Sequence, residues 1–176
     1  MSDNEYETLI DKDNIFFQKK RHINNEYRII SSCPLTKSTN IIEIVRNNQL
    51  FELIARLNSE FIVEYNNKDG IITYIFSAEL MKEFGDKFAL NFSNNINIIS
   101  DNDCIINGSS VDYDNSNYFT ILHLNSLQIL INISNNAFNI VFLYNIDDDK
   151  FNNVEILLVS KFLIKVVSNL NLYVCN

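Results

Sequence analysis

Apolar and polar positions alternate with a period of two in several short runs, and with a period near 3.6 in one long run toward the C-terminal end. The long run is FNNVEILLVSKFLIKVVSNL, residues 151–170. Phe151, Val154, Leu158 and Phe162 form one apolar row, with Leu163, Val166 and Leu170 beside it, while Lys161, Lys165 and Ser168 mark a wet face. The spacing predicts about five turns of amphipathic helix. Asp147–Asp149 supply acids at its start, where the helix dipole favours them. Two strands precede it, SLQILINIS (126–134) and FNIVFLYNI (138–146), joined as an antiparallel hairpin through the NNA between them. Their near-continuous apolar runs predict central strands covered on both faces, with the helix packed on the sheet.

Upstream the pattern is shorter. Asn24–Asn25 predicts a hairpin turn whose second strand, Tyr27 to Ser32, ends before Pro34. The stretch IIEIVRNNQLFELIARLNSEFIVEY (41–65) predicts an irregular segment, a turn or bulge at Asn47–Asn48, and a strand pair over 50–56 and 60–65 joined at 57–59. Leu, Glu, Ala and Arg in 50–56 are also good helix formers. NNKDG (66–70) is a turn signal and IITYIF (71–76) a strand; Ser77 is placed to cap a short helix, AELMKEF, that ends at Gly85. Residues 88–116 break into short apolar pieces that predict edge strands or loops. Residues 1–18 predict a mobile acidic arm, with IFF at 15–17 docking back, ahead of one domain over 19–176. The order of pieces predicts an α+β fold: a mainly antiparallel sheet flanked by helices, with a long C-terminal helix on it.

Composition adds limits. Of 176 residues, 47% are hydrophobic and 20% charged, enough apolar material for a core. With one Pro and three Gly, Asn must supply the turns. A net charge of −8 argues against nucleic acid or an anionic membrane as partner, and fits a basic protein partner or none, with the chain a monomer. Cys33, Cys104 and Cys175 show no C-x-x-C spacing, and the odd count leaves one unpaired; reduced thiols in nucleus or cytoplasm are the simplest expectation. The acidic N-terminus has no apolar stretch of a secretory signal, and no apolar run reaches the roughly 18 residues of a membrane span.

Candidate chemistry is thin. His123 lies among apolar residues without a nucleophile or an orienting acid nearby in sequence, and His22 reads as a surface residue. Asp147–Asp149 lack the spacing of a calcium loop, and DNDC (101–104) lacks metal-ligand spacing. Neither a phosphate-binding loop nor a dinucleotide fingerprint is present. No catalytic residue, metal or cofactor is therefore expected.

One family resemblance emerges from the order of pieces. INNEYRIISSCP, EIVRNNQLF, SEFIVEY and FSAELMKEFG, followed by a hairpin and a C-terminal helix, resemble in order the segments of the Ran guanine-nucleotide release factors. Val45 and Gln49 match that family's Val and Gln, whereas Glu43 stands at its Arg, Arg46 at its Pro, Asn47 at its Asp and Leu50 at its Glu. The resemblance implies a non-enzymatic protein of nucleus and cytoplasm that binds a Ran-type GTPase and promotes nucleotide release in nuclear import. It implies a partner surface around Glu43, Arg46, Asn47, Asn48, Gln49 and Glu52. An alternative is an interaction or scaffold module that keeps the fold but binds another protein or a larger complex.

Overall fold

Asparagine and aspartate do make the turns. In the computed structural model, which describes residues 5–23, 25–36, 40–77, 88–111, 120–122, 124–146 and 153–175, the two-residue loops Asp13–Asn14, Asp69–Gly70 and Asn135–Asn136 have positive φ at both positions. Such loops match the right-handed twist of the strands they join. The elements are β1 (Tyr6–Lys12), β2 (Ile15–Lys20), β3 (Glu26–Pro34), α1 (Ile41–Arg46), α2 (Leu50–Leu57), β4 (Ile62–Lys68), β5 (Ile71–Phe76), β6 (Phe88–Ile98), β7 (Asp103–Ser110), β8 (Thr120–Leu122), β9 (Leu124–Ser134), β10 (Ala137–Ile146) and α3 (Asn153–Cys175).

These form one ten-stranded sheet in the order β1-β2-β3-β10-β9-β7-β6-β5-β4, with β8 pairing β6 in parallel and the other pairs antiparallel. The fold is α+β, and α3 packs on the sheet as the terminal periodicity predicts. Along α3 the buried positions Val159, Phe162, Leu163, Val166, Val167, Leu170 and Val174 keep to one stripe, and Lys161 and Lys165 are exposed. Facing them, register aligns Phe17, Ile29, Phe142, Ile129, Ile106 and Ile96 in a row across six strands. This row is the sheet's share of the core.

Four expectations need correction. Residues 6–20 form β1 and β2, the first hairpin of the sheet, where an acidic arm was expected. Ile15 and Phe17 are buried, so the docking expected at 15–17 occurs, but as a strand of the sheet, and the apolar area it removes from water holds the hairpin in place. The segment 50–57 is helix, not strand: Leu50, Leu53 and Ile54 recur at helical spacing and are buried on one face. β6 and β7 lie inside the sheet, because Asn95, Asn97 and Asn107 point outward while Ile96, Cys104 and Ile106 pack inward. The outward residues of the central strands, such as Leu130, Val141 and Leu143, are half-buried, so the helices cover the inner face more fully than the outer.

The Asn pair ends α1. Asn48 takes φ 58°; its N–H donates to the Val45 carbonyl at 2.9 Å, and the Gln49 N–H donates to the Ile44 carbonyl at 2.9 Å. This is a Schellman closure with Asn where Gly is usual. The helix reverses there, and α2 begins at once.

The cysteines also differ from expectation. Cys33 and Cys175 form a disulfide with Cα atoms 6.5 Å apart, within the range such bonds span, in place of reduced thiols. Their sequence separation of 142 residues hides the pairing from any spacing rule. Cys104 is the unpaired thiol, buried in β7, and burial together with nearby Asp103 pushes its pKa up to about 11. The predicted helix after Ser77, His123 and Asp147–Asp149 lie outside the described residues.

Candidate apolar binding site

The inner face of the sheet, α2 and α3 enclose a space of about 30 Å³. Phe51 and Ile54 border it from α2, Tyr74, Leu90 and Phe92 from β5 and β6, Phe142 from β10, and Phe162 and Leu163 from α3. It has room for a water-sized molecule or two, and with apolar walls it stays dry. Pockets that hold small organic ligands are ten times larger or more. The aromatic rings account for the difference. Phe51 meets Phe92 edge-on at 5.0 Å, and Phe162 meets Phe76 at 4.8 Å and Phe61 at 5.3 Å.

The polar side chains of Tyr74, Tyr144, Ser160 and Asn58 around this interior are neutral and hydrogen-bonded. The Tyr74 hydroxyl donates to the Phe51 carbonyl at 2.7 Å, and burial holds its pKa well above the usual phenol value. Ser160 donates to the Ile156 carbonyl at 2.8 Å. Its one proton is thereby committed, so in the 2.9 Å contact with Tyr144 the phenol is the donor. Burial raises the Tyr144 pKa as well. At the end of α2, the fully buried Asn58 donates to the Ile54 carbonyl at 2.7 Å and accepts from Asn169 of α3 at 2.7 Å. Asn169 also donates to the Leu57 carbonyl at 3.1 Å, so the two helices are joined through amides.

The residues of the expected partner surface lie elsewhere, at the α1–α2 junction. Arg46 bonds Glu43 at 2.7 Å and Asp101 at 3.1 Å, and these contacts hold its pKa above the usual value, the hydrogen bond to Asp101 first. Asn47 is the α1 C-cap and also reaches Glu43, at 3.4 Å. Asn48 and Gln49 form the closure described above, and Glu52 is exposed in the first turn of α2. The structure brings Glu43, Arg46 and Asn47 into one hydrogen-bonded group. Leu50, which stands at the acid of the compared pattern, is 1% exposed and belongs to the core. Among the described residues, no group of three or more His, Cys, Asp or Glu is placed to hold a metal, and no helix is long and apolar enough to cross a membrane.

On the outer face, a concavity of about 380 Å³ is bordered by Tyr6, Lys20 and Glu26. The Tyr6 hydroxyl donates to Glu26 at 2.7 Å and Lys20 pairs with the same carboxylate at 2.8 Å, so these groups satisfy one another.

No protein-family model matches the sequence, and no curated protein matches it. Solved structures do match the fold. The human STARD10 structure superposes with a TM-score of 0.69 at 9% identity, over 97% of this chain and 75% of that one. The human StAR-related lipid transfer protein 5 gives 0.65 at 10% identity, over 98% of this chain and 88% of that one. A fragment of a STAR-related lipid transfer protein from Xanthomonas axonopodis gives 0.64 at 7% identity, over 98% and 99%. At these identities the likeness is one of fold.

This overturns the resemblance to the Ran release factors, whose fold family is a different one. Binding to a Ran-type GTPase, nucleotide release and nuclear import rested on that resemblance and fall with it. An order of strands, hairpin and long terminal helix suits both folds, and the motifs that seemed to choose between them were short. What sequence reasoning missed was the interior itself. Reading 50–56 as strand removed the helix that carries Phe51 and Ile54 over the sheet; the spacing of Leu50, Leu53, Ile54 and Leu57 was the available signal.

Proposed function

We propose that this chain is a non-enzymatic binding module that takes up an apolar, lipid-like molecule between the sheet and α3. The observation that carries this reading is the apolar space between the two layers, in a fold shared with proteins named for lipid transfer. Apolar walls without unpaired polar groups favour a ligand by burial alone. At about 30 Å³, the space admits such a molecule only when Phe51, Phe92 and Phe162 turn aside or α3 shifts. Uptake is thus coupled to displacement of the helix layer.

The test is organic extraction of the purified protein followed by mass spectrometry, together with titration by fluorescent fatty-acid, sterol and phospholipid analogues. The expected result is a stoichiometric apolar compound or saturable binding, lost in Leu163→Trp, which fills the space. A protein that purifies empty and binds none of the analogues overturns the reading. The same small volume favours a second reading: a module with a filled interior that acts through its surface. That empty, non-binding protein is its expected outcome.

A further inference from the structure

Three links fasten the last turn of α3 to β3 and the segment after it. The Cys33–Cys175 disulfide is covalent. Asn171 donates to the Ser31 hydroxyl at 2.7 Å, and the Thr36 hydroxyl donates to the Cys175 carbonyl. The first link alone can be made and broken by chemistry that leaves every other bond in place. A groove of about 450 Å³ runs beside it, with Asp13, Ile15 and Pro34 on one bank, Ser168 and Leu172 on the other, and both cysteines in its wall. Leu172 is 56% exposed, so the groove opens to solvent. Cys33 is half-buried and Cys175 buried, so Cys33 is the more exposed of the two residues. Exchange rates depend on such access and on which sulfur is attacked.

We propose that the Cys33–Cys175 disulfide is a redox-operated latch, opened through this groove by a dithiol reductant, and that opening frees the C-terminal end of α3 from the sheet. A thiolate of the reductant attacks the Cys33 sulfur, the S–S bond breaks, and Cys175 leaves as a thiolate that takes up a proton. The reductant's second thiol gives up its proton and attacks the mixed disulfide, and Cys33 leaves as a thiolate that is protonated in turn. Two electrons pass to the protein, which ends with two thiols, and the reductant ends as a cyclic disulfide. The link from latch to ligand access rests on the lipid-binding reading; the latch itself does not.

Cys104 makes the test internal. It is 1% exposed in β7, far from the groove in the strand order, and labels only when the sheet opens. The native protein is treated with dithiothreitol, then with iodoacetamide, and weighed. Two labels are expected, on Cys33 and Cys175; three labels appearing together show that reduction needs global unfolding and overturn the proposal. Hydrogen exchange of the reduced protein should rise at least tenfold over 166–175 and stay unchanged in β9 and β10. Unchanged exchange in α3 overturns the proposal as well. Uptake of a fluorescent fatty acid is then timed in both states. Faster uptake when reduced supports control of access, and equal uptake overturns it. Raised exchange with no uptake in either state leaves the latch standing and removes the lipid reading. Cys33→Ser should reproduce the reduced state without reductant.

Discussion

The middle of α3 and its last turn are held in different ways. Around Phe162 and Leu163 the helix is held by apolar contact, with rings from β4's approach and β5 meeting Phe162 edge-on. Around Asn169 to Cys175 it is held by directed links: an amide pair to α2, an amide to Ser31 and a disulfide to β3. Contact is strong in sum but indifferent to small slides, since dispersion and burial have no preferred direction. Hydrogen bonds and a disulfide contribute less each but set one position along the helix. The helix is therefore fixed at its C-terminal end by several directed links, and in its middle, where the interior space lies, mainly by packing, beside the Tyr144–Ser160 hydrogen bond and the exposed Lys165–Glu60 pair.

Removing the packing should produce the largest change. Phe162→Ala should cost about 3–5 kcal/mol in urea unfolding, because transfer energy and a new cavity add. A much smaller loss would mean that Phe61 and Phe76 collapse into the gap. Reducing the disulfide, or replacing both cysteines by Ser, should lower the stability by about 2–4 kcal/mol, mainly by releasing the unfolded chain. Parallel denaturation of the oxidised and reduced forms measures it. Asn169→Ala deprives buried Asn58 of its donor and should cost about 1–3 kcal/mol; equal stability would show that water replaces the amide. Tyr144→Phe deletes one bond to Ser160 and should cost about 0.5–1.5 kcal/mol, which thermal unfolding monitored by circular dichroism would resolve.

The layers of this fold were readable from periodicity, and the links between them were not. The stripe through Phe162, Val166 and Leu170 and the hairpin around Asn135–Asn136 repeat at short spacing, so local pattern announces them. The α2 segment carried the right spacing too, but a β-rich neighbour at 61–65 and an Asn pair upstream argued for strands. The buried contacts Asn58–Asn169 and Cys33–Cys175 join residues far apart in the chain; nothing local marks those asparagines among the many others, or says which two of the three cysteines pair. The interior space was illegible for the same reason: its walls come from six separate elements, and its small size reflects how aromatic rings from distant segments fit together.

The strand order has a consequence for birth on the ribosome. β3 pairs with β10, so the hairpin made first is completed by the strand made nearly last. Translation of the intervening stretch, roughly a hundred residues at bacterial or eukaryotic speeds, takes on the order of 10 s. Through that interval the β1–β3 meander waits with one edge unpaired and with Ile29 and Tyr27 uncovered. A nascent chain stalled before residue 137 should therefore be the form most in need of a chaperone.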